Sequence, residues 1–278
     1  MDQNTFFSFG GGVQSSALAL MLVRNPEVFE NLEYPTPMHI IFADTGAETE
    51  HVLKNVDNIF GILEEAGYKT YVVKAKDSIL DEVLGSSGRG ISTPPYYTKD
   101  SNGKVGILRR QCTRVYKIDP IIAKQREILG YKYKQRIPSG KANLWLGISV
   151  EEARRMKASA NCWITNRYPL VDLRLDRSAC GVYAYKALGY SVRKSSCFFC
   201  PFKHQEEWVS LKRNDPNLFD KAVEFDEKIR NLSTFGKGVK NPCYIHRSGL
   251  PLKDAVGVGI QLSLFNQPEE ECSGTCFL

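Results

Sequence analysis

The chain has 278 residues, 42% of them hydrophobic and 24% charged, a soluble globular composition with no apolar run long enough to span a bilayer. Its 37 Lys and Arg against 31 Asp and Glu leave a net charge of +6, which suits an anionic substrate such as a nucleotide and permits nucleic acid without requiring it. The first strand begins almost at the amino terminus, so no leader peptide and a cytoplasmic location are expected.

In chain order, Phe6-Phe7-Ser8-Phe9 runs into Gly10-Gly11-Gly12, then Val13-Gln14-Ser15-Ser16, then Ala17 to Leu22. This pattern predicts a buried strand, a tight turn and the start of a helix. Glycines there let the backbone approach a ligand, and free N–H groups with the Ser15 and Ser16 hydroxyls make an anion seat. The spacing is neither G-x-x-x-x-G-K-[ST] nor G-x-G-x-x-G, and an ordinary glycine-rich turn is the alternative. Residues 38–43 predict a second buried strand ending in Asp44-Thr45-Gly46-Ala47-Glu48. A helix follows at about 49–66, with Val52, Val56, Ile59, Phe60 and Leu63 at helical spacing. Residues 69–73 predict a third strand. Strands alternating with helices argue for an α/β fold, a Rossmann-like parallel sheet with helices on both faces. Both the glycine loop and Asp44-Thr45-Gly46 would lie beyond its strand ends, where ligands sit.

Residues 85–106 are rich in Gly, Ser and Pro and predict a long loop, a candidate lid. Arg109, Arg110, Arg114 and Lys117 open the next helix as a phosphate or sulfate clamp, or as a solvated basic face. Residues 144–149 form another predicted buried strand, leading to a helix with Glu151, Glu152, Arg154 and Arg155. A further helix is expected from about Asp176 to Leu188, and two amphipathic helices follow the Cys197-Phe198-Phe199-Cys200-Pro201 knuckle. The expected division is 1–175 for a nucleotide-binding α/β domain, 176–255 for a helical cysteine-bearing region, and 256–278 for a flexible tail.

The chain holds eight cysteines, Cys112, Cys162, Cys180, Cys197, Cys200, Cys243, Cys272 and Cys276. With no secretory signal, metal or redox chemistry is expected rather than a disulfide framework. A C-x-x-C on a turn can grip one metal or cluster. Its place late in the chain argues against a thioredoxin-like role. Cys162, beside Trp163, is expected as a buried small hydrophobe, and Cys243 has no evident partner.

The loop Gly10 to Ser16 resembles the PP-loop S-G-G-x-D-S-[ST] of the ATP pyrophosphatase and sulfonucleotide reductase (adenine nucleotide alpha hydrolase) superfamily. It departs at Gly10, for Ser, and at Gln14, for Asp; Gln is more like the phosphoadenosine phosphosulfate (PAPS) reductase branch. Asp44-Thr45-Gly46 resembles the family's D-T-G and implies contacts to adenosine. The stretch from Cys112 to Ile121 resembles C-C-x-x-x-K-V-x-P-L of adenylylsulfate reductases, with Thr113 replacing the second cysteine. Gly147 to Arg155 is similar to G-x-R-x-x-[QE]-x-x-R, with Ser149 for the first Arg. Asn166 to Asp172 is similar to P-[LI]-x-D-W, with Leu173 for Trp. DNA phosphorothioation enzymes share this plan of PP-loop and cluster.

The resemblance implies an adenine nucleotide, ATP or PAPS, held by Gly10, Gly11, Gly12, Gln14, Ser15, Ser16, Asp44, Thr45 and Gly46, with Mg2+ a permitted companion. Arg114, Lys117 and Arg155 would neutralise charge near the phosphates. Cys112, Cys180, Cys197 and Cys200 would hold a [4Fe-4S] cluster, with zinc the alternative. Glu271-Cys272 resembles the reductases' carboxyl-terminal E-C-G-x-H, making Cys272 the candidate nucleophile. Residues Gln261 to Phe265 resemble the peptide by which bacterial proteins dock on the DNA sliding clamp; packing on the chain's own domain is the alternative. Three activities are open. One is nucleotide-dependent adenylation and sulfur transfer, with nucleic acid as acceptor and a cysteine desulfurase or thioredoxin-like donor. Another is sulfonucleotide reduction, and the third is non-catalytic clamp docking or nucleotide sensing.

Overall fold

The first strand, β1 (Asp2–Phe9), lies at the centre of a five-stranded parallel sheet. Described in the computed structural model are residues 2–83, 94–231 and 239–256. β2 (Pro37–Asp44) and β3 (Lys69–Lys74) continue the sheet on one side, β6 (Ala142–Leu146) and β7 (Ile164–Arg167) on the other. The order is β3-β2-β1-β6-β7. The strand order therefore reverses between β1 and β6, and the carboxyl ends of these two strands flank the switch point where open α/β sheets take ligands.

Both faces of this sheet are covered, which is why β1 and β2 are almost continuously apolar. Side chains alternate between faces. Phe7, Phe9, Ile40, Phe42 and Trp145 belong to a core shared with α1 (Val13–Arg24), α2 (Glu50–Glu65) and α6 (Arg177–Leu188). Phe6, Ile41, Leu144 and Leu146 belong to the opposite core, which includes Ile121 of α4 (Asp119–Ile128). Each fully buried side chain of this size contributes about 1.5–3 kcal/mol as an upper estimate. The Val52, Val56, Ile59, Phe60 and Leu63 stripe of α2 is buried as its spacing predicts. β3 is a sheet edge, and its Val72 is 53% exposed.

The described residues form two units, one of residues 2–75 and 116–195, the other of 76–115 and 196–256. This differs from the expected linear division at residue 175. Helix α6 belongs with the sheet because Cys180 and Ala184 pack into the core beneath α1. Residues 76–115 belong instead with the cysteine knuckle.

The second unit is small. Its sheet has the order β5-β4-β8, from β4 (Tyr97–Lys99), β5 (Val105–Ile107) and β8 (Cys243–Tyr244). Part of the long loop expected over 85–106 is thus a β-hairpin. Asp100 Oδ1 accepts from the amides of Asn102 (2.9 Å) and Lys104 (2.9 Å), and Gly103 takes φ +82, closing the turn. Residues 84–93 lie outside the described residues. Helices α7 (Gln205–Asn214) and α8 (Pro216–Lys228) follow the knuckle. Phe199 stacks on Phe225 of α8 at 4.0 Å between ring centroids. Asp226, 1% exposed, accepts from the amides of Ile245 (2.8 Å) and Leu252 (3.0 Å) and pairs with Arg230. Two other expected helices are irregular: residues Arg114–Ile118 make a π-helical turn, and Val150–Arg155 a 3-10 turn. No helix among the described residues is long and apolar enough to cross a membrane.

Candidate nucleotide site

The loop after β1 is shaped by close packing on all sides. Gly11 has φ +70, a region L side chains rarely adopt, and a Cβ there would lie 3.1 Å from both Val52 Cγ1 and Val56 Cγ2. A Cβ on Gly12 would lie 3.3 Å from the Ser195 amide nitrogen, and one on Gly147, just after β6, 3.2 Å from the Ser15 backbone. A side chain at Gly11 would be strained, and one at Gly12 or Gly147 would need its neighbours to give by a few tenths of an ångström. No side chain caps the N-terminus of α1 at Gly12, so its first amides carry the partial positive charge of the helix end. Ser15 Oγ donates to the Gly12 carbonyl (3.1 Å), while Ser16 is fully buried. Ser195 Oγ, beside this loop, is buried without a hydrogen-bond partner among the described residues.

Asn55 of α2 is the residue that sequence reasoning missed here. Its Nδ2 donates to the Gly11 carbonyl (3.2 Å) and to Ser16 Oγ (2.9 Å), and its Oδ1 accepts from Tyr190 (3.2 Å). The signal was present: Asn55 stands inside the apolar stripe, three residues after Val52 and four before Ile59. A lone amide there must find buried partners.

Gln14 and Ser149 are two of the departures from the resembled motifs, and they touch. Gln14 Nε2 donates to Ser149 Oγ (3.4 Å) and to Glu152 Oε2 (3.3 Å), while Glu152 also pairs with Arg155. An aspartate at position 14 would set a second carboxylate against Glu152, whereas an amide donates to it. Arg155, expected to bind an anion, is 9% exposed and already neutralised by Glu152. Lys117 is likewise engaged, its Nζ 3.3 Å from Glu48 Oε1. Arg114 lies exposed at the start of the π-helical turn.

At the end of β2, Asp44 Oδ1 accepts from the Gly46 amide (2.8 Å), and the Asp44 carboxylate pairs with Lys74 (2.8 Å). Thr45 Oγ1 donates to Glu48 Oε1 (3.2 Å). The Glu48 side chain is fully buried, and its Oε2 has no hydrogen-bond partner among the described residues.

The four expected cluster ligands are divided between the units. Cys180 is 0% exposed in the sheet core, where burial, then Glu151 and Asp176, push its thiol up to about 12. Burial of this kind favours the neutral thiol over the thiolate. In the second unit, the Cys200 amide donates to the Cys197 carbonyl (3.1 Å) and the Lys203 amide to the Cys200 carbonyl (3.1 Å), a two-turn knuckle. Burial raises the Cys200 thiol, while Lys203 and Arg110 act in the opposite direction and Cys112 in the same one. Lys203 Nζ donates to Ser196 Oγ (2.6 Å), and Arg110 lies over the Phe202 ring at 5.3 Å. Among the described residues no group of three or more His, Cys, Asp or Glu is gathered as a metal site.

Cys162 is exposed rather than buried, because its turn is held through its carbonyl by Gly140 (3.0 Å) and Ser139 (2.9 Å), leaving the thiol outside. Cys243 is buried in β8, its thiol pushed up to about 11 by burial. Cys272, Cys276 and the clamp-like peptide at 261–265 lie outside the described residues.

No protein-family model matches the sequence, and no curated protein does. Among solved structures, the chain is similar to the U34-tRNA thiolase NcsA from Methanococcus maripaludis with its [4Fe-4S] cluster. The likeness has a TM-score of 0.43 and 14% sequence identity, over 92% of this chain and 82% of that one.

Proposed function

We propose that the chain is an adenine-nucleotide enzyme of the PP-loop type that activates an acceptor by adenylation for sulfur transfer. The observation that carries this is the loop after β1. Gly11, Gly12 and Gly147 stand where any Cβ meets backbone or packed side chains, the end of α1 is uncapped, and Ser195 Oγ is buried without a partner. A bound phosphate would accept from the α1 amides and from that hydroxyl. In the adenylation step an acceptor oxygen attacks the α-phosphorus, and pyrophosphate leaves with the electrons of the broken P–O bond. A sulfur nucleophile then displaces AMP. Lys117 and Arg155 serve as phosphate cations only if Glu48 and Glu152 share them, so the charge offered is smaller than the cation count suggests.

The finer reading, with nucleic acid as acceptor, is supported by the net charge of +6 and the resemblance of the motifs. The iron–sulfur cluster is a separate proposal. Iron, sulfide and zinc content of anaerobically purified protein, with and without Cys197→Ala, decides it.

Calorimetric titration with ATP, PAPS and tripolyphosphate tests the nucleotide reading. Binding is expected for the wild type and lost in Gly11→Ala, whose fold is checked by circular dichroism. A wild type that binds neither ATP nor PAPS overturns the proposal.

A further inference from the structure

The Glu48 carboxylate is fully buried, yet only one of its oxygens is used. Oε1 accepts from Thr45 Oγ1 at 3.2 Å and lies 3.3 Å from Lys117 Nζ, while Oε2 is buried with no partner among the described residues. A buried acceptor left unmade is costly, more so when charged, and native structures rarely carry one without a reason.

Its position supplies the reason. β1 and β2 are adjacent and parallel, with Phe9 opposite Phe42, so the glycine loop and the Ala43 to Glu48 segment leave the sheet at the same edge. Val52, four residues beyond Glu48, is one of the side chains packed against Gly11, and Asn55 holds the Gly11 carbonyl. Glu48 therefore belongs to the segment that leaves β2 at the edge where the glycine loop leaves β1.

The chemistry narrows what Oε2 can meet. An ionised carboxylate only accepts hydrogen bonds, so phosphate oxygens are excluded. Lys117 already balances its charge, so a second cation gains little. What remains is a neutral O–H or N–H donor.

We infer that Glu48 is a specificity-determining residue of the nucleotide site, its Oε2 accepting from a donor of the nucleoside, a ribose hydroxyl or the exocyclic amine. The inference rests on the nucleotide reading above and adds the group that distinguishes a nucleotide from a bare polyphosphate.

The test is calorimetric titration of wild type and Glu48→Gln with ATP, tripolyphosphate, 2′-deoxy-ATP, 3′-deoxy-ATP and purine riboside triphosphate, which lacks the amine. Glu48→Gln is expected to weaken ATP about tenfold or more and to leave tripolyphosphate undiminished. One analogue should weaken by a similar factor in the wild type and lose little further in Glu48→Gln, and that analogue identifies the donor. ATP binding unchanged in Glu48→Gln, or losses that simply multiply, overturns the inference while the nucleotide reading stands. Wild type binding all three analogues as tightly as ATP overturns it without any variant. Wild type that binds none of ATP, PAPS and tripolyphosphate overturns both.

Discussion

The two units use buried polar groups in opposite ways. In the sheet unit both cores are mostly apolar, and several buried polar side chains (Ser15, Ser16, Thr45, Asn55, Ser149, Glu152 and Arg155) belong to segments at the carboxyl edge of the strands or to the helices that follow. In the second unit a carboxylate sits inside the core. Strands of two or three residues cannot hold a sheet by their ladder alone. There Asp226 supplies what the short strands lack, taking two backbone amides and Arg230. The lesson is that burial of a polar residue says little until its partners are known. Toward backbone and a single counter-ion it is scaffold; around a glycine turn with orphaned oxygens it marks a candidate site.

The strongest way to break that contrast is Asp226→Ala. Removing the acceptor strands Arg230 and two amides, and about 3–5 kcal/mol should be lost from the second unit. In hydrogen exchange, Ile245 and Leu252 should lose protection while β1, β2 and β6 keep theirs. Uniform loss across both units would show that the two do not differ in the way described. Asn55→Ala should show the other side of the contrast. About 1–3 kcal/mol of stability is expected to go with its buried hydrogen bonds, seen as a lowered Tm. ATP affinity should fall as well, because the Gly11 carbonyl and Ser16 lose their tether. A variant that is destabilised but binds ATP normally would make Asn55 scaffold only.

A smaller effect sharpens the comparison through pH. His246 is buried, its Nδ1 accepting from Ser248 Oγ (2.7 Å) and its Nε2 donating to Gln205 Oε1 (2.7 Å). Burial first, and Arg247 second, lower its pKa to about 4. The folded state therefore disfavours the proton. The neutral imidazole's contribution is fully present above the ordinary histidine range near 6.5 and is lost as pH falls toward about 4. Thermal melts should show a steeper decline in stability over that window for wild type than for His246→Gln. Identical slopes would remove His246 from the account.

Much of the sheet unit was legible in the chain. The glycine run after Phe9, the apolar stretch of β2 and the α2 stripe each name their element, because a parallel strand buried on both faces must be continuously apolar and a one-sided helix must be periodic. The candidate site was legible only in outline. Gln14 and Ser149 read as two independent departures from a motif, yet they are hydrogen-bond partners 135 residues apart. Arg155 and Lys117 read as free cations, but each faces a carboxylate. The hairpin over 97–107 was hidden because Asp100, Asn102 and Gly103 are turn residues whether or not strands flank them.

The sequence by itself determined the α/β class, the position of the glycine turn and the places of the first three strands in the chain, since these follow from local periodicity and from glycine's freedom in φ. Tertiary structure alone decided that the strand order reverses between β1 and β6, that Cys180 belongs to the sheet core, and that Asn55 holds the Gly11 carbonyl. Those outcomes depend on which distant side chains meet. A pairwise hydrogen bond or a shared core leaves no period in the chain.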